Sequence, residues 1–119
     1  MAIEAHQIDT VARFLSVLGE ASRLRIISSL MAGPLTVGEI VAATGFKQAN
    51  VSKQLALLFD AGLVSRQREG VSIRYQIALP LLYDLCALVC DGTRQIASQR
   101  FAAFESADDL VGKTSDSQS

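Results

Sequence analysis

TVGEIVAATGFKQANVSKQLALLFDAG, residues 36–62, is the stretch whose reading decides the fold. Thr36 stands three residues before Glu39, at the head of the apolar set Val37, Ile40 and Val41. That is the arrangement in which a hydroxyl and a carboxylate reciprocally satisfy the first free amides of a helix. A short helix is therefore predicted from Thr36 to Gly45. A few residues later, Gln48 to Ala61 carries Val51, Leu55 and Leu58 on one side, with Asn50, Ser52, Lys53 and Gln54 largely off it, and Gly62 closes it as a C-terminal glycine. A short helix, a tight turn and a second helix with a polar N-terminal half together describe a helix-turn-helix.

Upstream, Ile8, Val11, Leu15 and Leu18 recur at helical spacing behind Asp9 or Thr10 as the cap. Ser22 offers a fresh cap, and Leu24, Ile27 and Leu30 continue an apolar face until Gly33-Pro34 stops it. Downstream, Leu63–Glu69 and Val71–Ile77 are rich in branched and aromatic residues, with Glu69-Gly70 placed where a hairpin must turn. This predicts a two-stranded hairpin bearing Arg66, Arg68 and Arg74. Pro80 suits a first helical position, and apolar periodicity then runs from Leu81 to about Phe104. The fold class is mainly α with a β-hairpin wing: a winged helix-turn-helix of five helices. Residues 1–106 are expected to form one domain. Residues 107–119 are polar and acidic, with too little apolar surface to offset ordering entropy, and are expected to be a disordered tail.

At 119 residues the chain holds one domain, and its 50% hydrophobic content is enough to bury a core. The net charge of −1 is unpromising for a nucleic-acid partner until it is mapped. Between Phe46 and Arg74, five cations (Lys47, Lys53, Arg66, Arg68, Arg74) face two anions (Asp60, Glu69), a local net charge of +3. From Glu105 onward four anions face only Lys113, a net −3. The only strongly basic stretch thus coincides with the polar-fronted helix and the hairpin. A helix fits the major groove, where Gln, Asn, Ser and Lys reach base edges and phosphates. The expected DNA contacts are Lys47, Gln48, Asn50, Ser52, Lys53 and Gln54 on the helix, and Arg66, Arg68 and Arg74 on the wing. No apolar run reaches the ~18 residues that would cross a bilayer, and the first ten residues include Glu4, His6, Gln7 and Asp9, unlike a secretion signal. A soluble, cytoplasmic protein is expected. Catalysis is not, since the chain offers no Ser/His/Asp set, glycine-rich phosphate loop or paired catalytic carboxylates.

Leu18-Gly19-Glu20-Ala21-Ser22-Arg23-Leu24-Arg25-Ile26-Ile27 resembles the opening signature of the ArsR/SmtB family of bacterial winged-helix repressors. Asn50 to Leu58, Ala61-Gly62-Leu63-Val64, Arg68-Glu69-Gly70 and Arg74-Tyr75 resemble that family's recognition helix and wing, so the likeness spans about residues 8–100. It implies a homodimer built from the first and last helices, which binds a two-fold symmetric DNA operator and represses until an inducer arrives. Residue patterning points to the same interface more weakly, through surplus apolar surface on those two helices. There are departures as well. Leu35-Thr36-Val37-Gly38-Glu39 lacks the Cys-Val-Cys metal box of many members, and a single histidine, His6, cannot build the zinc site that others carry on the last helix.

What the last helix does carry is Cys86 and Cys90, four apart and on one face. As small hydrophobes they can be core filler; as soft thiolates one turn apart they can clamp a thiophilic metal or metalloid ion, or take up reactive sulfur or oxidant. No cofactor is fixed by the sequence beyond that candidate ion. Arg94, one turn past Cys90, is the expected cation for lowering a thiol pKa. Three functions remain open at this point: a repressor with a thiol inducer site, the same dimer controlled by a protein or organic ligand, and a winged-helix module for protein contacts.

Overall fold

A computed structural model describes residues 2–111, with side chains through residue 105. The elements run α1 (Ala5–Leu18), α2 (Ala21–Leu30), β1 (Leu35–Thr36), α3 (Val37–Thr44), α4 (Gln48–Asp60), β2 (Val64–Glu69), β3 (Ser72–Ile77) and α5 (Leu81–Val111). The expected helices and hairpin are present in the expected order. The chain divides into two compact units, one ending at Pro80 and the other beginning at Leu81.

In the first unit, apolar periodicity becomes a core. Ile26, Ile27 and Leu30 of α2, Ile40 of α3, and Val51, Leu55 and Leu58 of α4 are all buried, as are Leu63 and Val64 at the entry to β2. Each such side chain contributes about 1.5–3 kcal/mol of burial, so this cluster is what holds the three helices together.

Two helix starts differ from the sequence expectation. The N-cap of α1 is Glu4, whose N–H donates to Gln7 Oε1 at 3.2 Å, so Asp9 and Thr10 lie inside the helix. The cap of α2 is Glu20, whose Oε1 accepts from the Arg23 N–H at 3.1 Å, and Ser22 sits in the first turn. In both cases a glutamate next to an extended backbone outcompetes the shorter cap residues that drew the prediction. The box at α3 forms as expected: Thr36 Oγ1 accepts from the Glu39 N–H at 3.2 Å, and Glu39 Oε1 accepts from the Thr36 N–H at 2.9 Å.

The sheet has three strands, in the order β1-β3-β2 and antiparallel throughout, not the two predicted. β1 spans two residues, too few to show any alternation in sequence. The turn also moves by one residue. Glu69 pairs with Ser72, so the loop is Gly70-Val71, with Gly70 at φ 63° in its first position, as a II′ hairpin turn demands.

The second unit is α5, 31 residues long. It continues past Phe104 to Val111, so residues 107–111, expected in the tail, are helical, and the rest of that expected tail, 112–119, lies outside the described residues. Leu81, Tyr83, Leu88, Val89, Ile96, Phe101 and Phe104 are exposed along it.

Candidate nucleic-acid interface

α4 buries Val51, Leu55 and Leu58 and turns most of its polar residues outward. Its end is fixed by glycine: Gly62, at φ 80°, donates to Phe59 O at 3.0 Å, and the Leu63 N–H reaches back to Leu58 O at 2.9 Å. That pair of bonds satisfies the last carbonyls and sends the chain into β2. Lys47, Gln48, Ser52 and Lys53 are exposed, and Asn50 is half-buried.

Gln54 does not join them. It is 7% exposed, with Oε1 accepting from Arg23 Nη1 at 3.1 Å and Nε2 donating to Asn50 Oδ1 at 3.2 Å. Its expected role as a base contact is therefore corrected: it lies on the inward side of α4, and both ends of its amide are occupied. Sequence reading misplaced it because a polar residue four positions before Leu58, amid other polar residues, reads as surface. Arg23, which sequence reading did not single out, also donates from Nε to Val17 O at 2.6 Å, satisfying a carbonyl in the last turn of α1.

Strand alternation divides the wing arginines. Arg66 and Arg68 share a face of the hairpin, whereas Arg74, opposite Gln67, lies on the other. The Arg66 guanidinium sits 4.1 Å above the centre of the Phe59 ring, on α4. Arg74 bridges two carboxylates, with Nε 2.8 Å from Glu69 Oε1 and Nη1 3.3 Å from Glu39 Oε1. It tethers the wing tip to the start of α3 while its side chain stays partly exposed. Lys47, Lys53, Arg66 and Arg68 take part in no salt bridge among the described residues, which leaves their charge facing solvent.

The tether is acid-sensitive. The Thr36 N–H, and then the Arg74 charge, hold the Glu39 carboxyl below its usual range against the opposing effect of burial. A carboxylate with a depressed pKa contributes stability that is present above its unfolded value, about 4.3, and lost as pH falls through the lower folded value. In Glu39→Gln, the drop in urea midpoint between pH 7 and pH 3 is expected to be smaller than in the parent. An equal drop in both proteins would count against the Thr36 bond and the Arg74 pair as contributors to stability.

On α5, Cys86 is half-buried and Cys90 exposed, both unbridged. Burial, and then the neighbouring Cys90, push the Cys86 thiol up, away from the thiolate. Arg94, expected to oppose that effect, instead forms an ion pair with Asp91. Among the described residues no three His, Cys, Asp or Glu side chains gather as a metal site, so the two thiols fit a thiophilic ion only as a partial ligand set. No described helix is long and apolar enough to cross a membrane.

Comparison with known proteins agrees with this geometry. The profile described as bacterial regulatory protein, arsR family, matches residues 20–66. A probable mercury resistance operon repressor from Streptomyces lividans is 33% identical over 105 residues, covering 88% of this chain and 81% of the relative. The crystal structure of Rv0081 from Mycobacterium tuberculosis superposes with a TM-score of 0.75 at 30% identity, over 83% of this chain and 99% of that one. The solution structure of the homodimeric winged helix-turn-helix DNA-binding domain of Mb0332 from Mycobacterium bovis gives a TM-score of 0.70 at 32% identity, over 83% of this chain and 95% of that one.

Proposed function

The chain belongs to the ArsR family of bacterial regulatory proteins, and from that premise we propose that it is a cytoplasmic homodimer that represses an operon and is released by a thiol-directed inducer. DNA binding and transcriptional regulation come with the family. Dimerisation, the contact residues and the inducer are our reading.

The observation that carries it is the exposed set Lys47, Gln48, Ser52 and Lys53 on α4, beside the outward charges of Arg66 and Arg68 on the strand that follows. Gln48, Asn50 and Ser52 have the chemistry to read bases, whereas the four cations supply phosphate affinity. Exposed Ile8 and Leu15 on α1, and the apolar row on α5, support covering by a second copy. Two recognition helices would then enter successive major grooves about 34–36 Å apart.

Cys86 and Cys90 are the proposed inducer site, taking a thiophilic metal or metalloid ion, or reactive sulfur; a third ligand would have to come from the partner subunit or solvent. The relative's association with mercury resistance supports soft-ligand chemistry. The raised Cys86 thiol and the Arg94–Asp91 pair favour the second reading, a repressor regulated at some other site.

The test combines sedimentation at micromolar protein with fluorescence-anisotropy titration of a duplex selected from a random pool. A dimer with sequence preference and steep salt dependence is expected; a monomer indifferent to salt would reject the reading. Mercuric ion, arsenite, peroxide and polysulfide are then added to the complex. An inducer acting through a coupling of about 1–3 kcal/mol weakens binding roughly 5- to 150-fold. Cys86→Ser with Cys90→Ser is expected to bind the duplex like the parent and to ignore these reagents. Release of that variant at the parent's concentration would place the sensor elsewhere.

A further inference from the structure

A chain of hydrogen bonds leads from the end of α1 to the outward half of α4. Arg23 donates to Val17 O at 2.6 Å and to Gln54 Oε1 at 3.1 Å, and Gln54 Nε2 donates to Asn50 Oδ1 at 3.2 Å. The direction of this chain follows from chemistry. A guanidinium holds only donors, so the buried Gln54 amide must turn its oxygen to Arg23 and its nitrogen to Asn50. Asn50 must in turn present its oxygen inward, which leaves its amide nitrogen, a donor, for the outside.

An unconstrained asparagine suits adenine, accepting from N6 while donating to N7. Here one lone pair of the accepting oxygen is taken by Gln54 Nε2, which holds that oxygen toward the buried Gln54 side chain. The outward donor instead matches guanine, whose O6 and N7 both accept, better than adenine, where only N7 accepts and the neighbouring N6 amino group opposes it. Resting on the DNA-binding reading above, we propose that Arg23 and Gln54 are positioning residues that fix the polarity of the Asn50 amide, so that the protein reads guanine, not adenine, at one base pair of each half-site.

The variant Gln54→Glu tests this. A glutamate still accepts from Arg23 but has no donor for Asn50, whose amide is then expected to turn over, nitrogen inward and oxygen outward. An outward acceptor selects a base that carries a donor, adenine N6 or cytosine N4. Gln54→Met offers neither donor nor acceptor and is expected to accept guanine and adenine equally. Arg23→Lys, still donor-only, is expected to keep guanine with weaker binding.

Each full-length protein is used to select from a random-sequence duplex pool, with thermal unfolding followed in parallel. The base pair in question is the one whose preference disappears in Asn50→Ala. The parent is expected to favour guanine there by about tenfold, and Gln54→Glu to reverse that preference at this position alone. Guanine retained by both Gln54→Glu and Gln54→Met, with affinity lowered equally for all sequences, would reduce the chain of bonds to a packing role and overturn the proposal. So would adenine in the parent, or an Asn50→Ala variant with unchanged preferences. A parent that enriches no sequence and binds without salt dependence would instead reject the DNA-binding reading itself.

Discussion

Changing Lys47, Lys53, Arg66 and Arg68 together to glutamine is expected to abolish most DNA affinity while leaving the fold intact. Each phosphate contact releases condensed counterions and adds about 0.9 to the slope of log affinity against log salt, so four lost contacts flatten that slope by about 3–4 per protomer. Near 0.1 M salt the same loss corresponds to roughly a thousandfold weaker binding per protomer. The side chains are exposed and form no salt bridges among the described residues, so stability should fall by no more than the Arg66–Phe59 contact supplies, about 0.5–1 kcal/mol. Arg74→Gln is the internal control: its guanidinium already lies on Glu39 and Glu69, and its removal should barely change the slope. Anisotropy titrations between 50 and 300 mM salt, about the range where such slopes are measurable, decide the matter. An unchanged slope in the fourfold variant would move the interface off this face.

The second large effect concerns stability. Leu55 lies on the buried side of α4 at 1% exposure, within the cluster that joins α2, α3 and α4. Leu55→Ala removes its transfer energy and leaves a cavity, a loss of about 2–5 kcal/mol from a total that for single domains is about 5–15 kcal/mol. Urea denaturation should show a lower midpoint, whose shift multiplied by the slope gives that loss, with little change in slope. A loss under about 1 kcal/mol would mean that α4 is not seated on the core as described.

Sequence made the helices legible where burial imposes a period, as at Val51, Leu55 and Leu58, and where capping chemistry is local, as at Thr36 and Glu39. It also located the basic surface, because charge along the chain needs no geometry to be counted. What escaped it depends on contacts between distant residues. Gln54 is buried only because Arg23, 31 positions away, supplies a donor for its oxygen. Arg74 is engaged by Glu39, 35 positions away, and the strand register places it on the opposite face from Arg66. The β1 strand exists only through its pairing with β3, and its two residues show no pattern of their own. Local signals therefore gave the elements, and pairings across the fold decided which polar residues remain available to a ligand.

The guanidinium of Arg66 resting on Phe59 bears on how the wing meets its target in time. A long, mobile side chain gives up as much as ~2 kcal/mol of rotamer freedom when it is held. For Arg66 much of that ordering has already happened on folding, because the aromatic ring restricts where the charge can be. Arg68, two residues along the same face, has no such platform among the described residues and would order only on contact. The wing thus carries one charge held against a ring and one, among the described residues, without such a support.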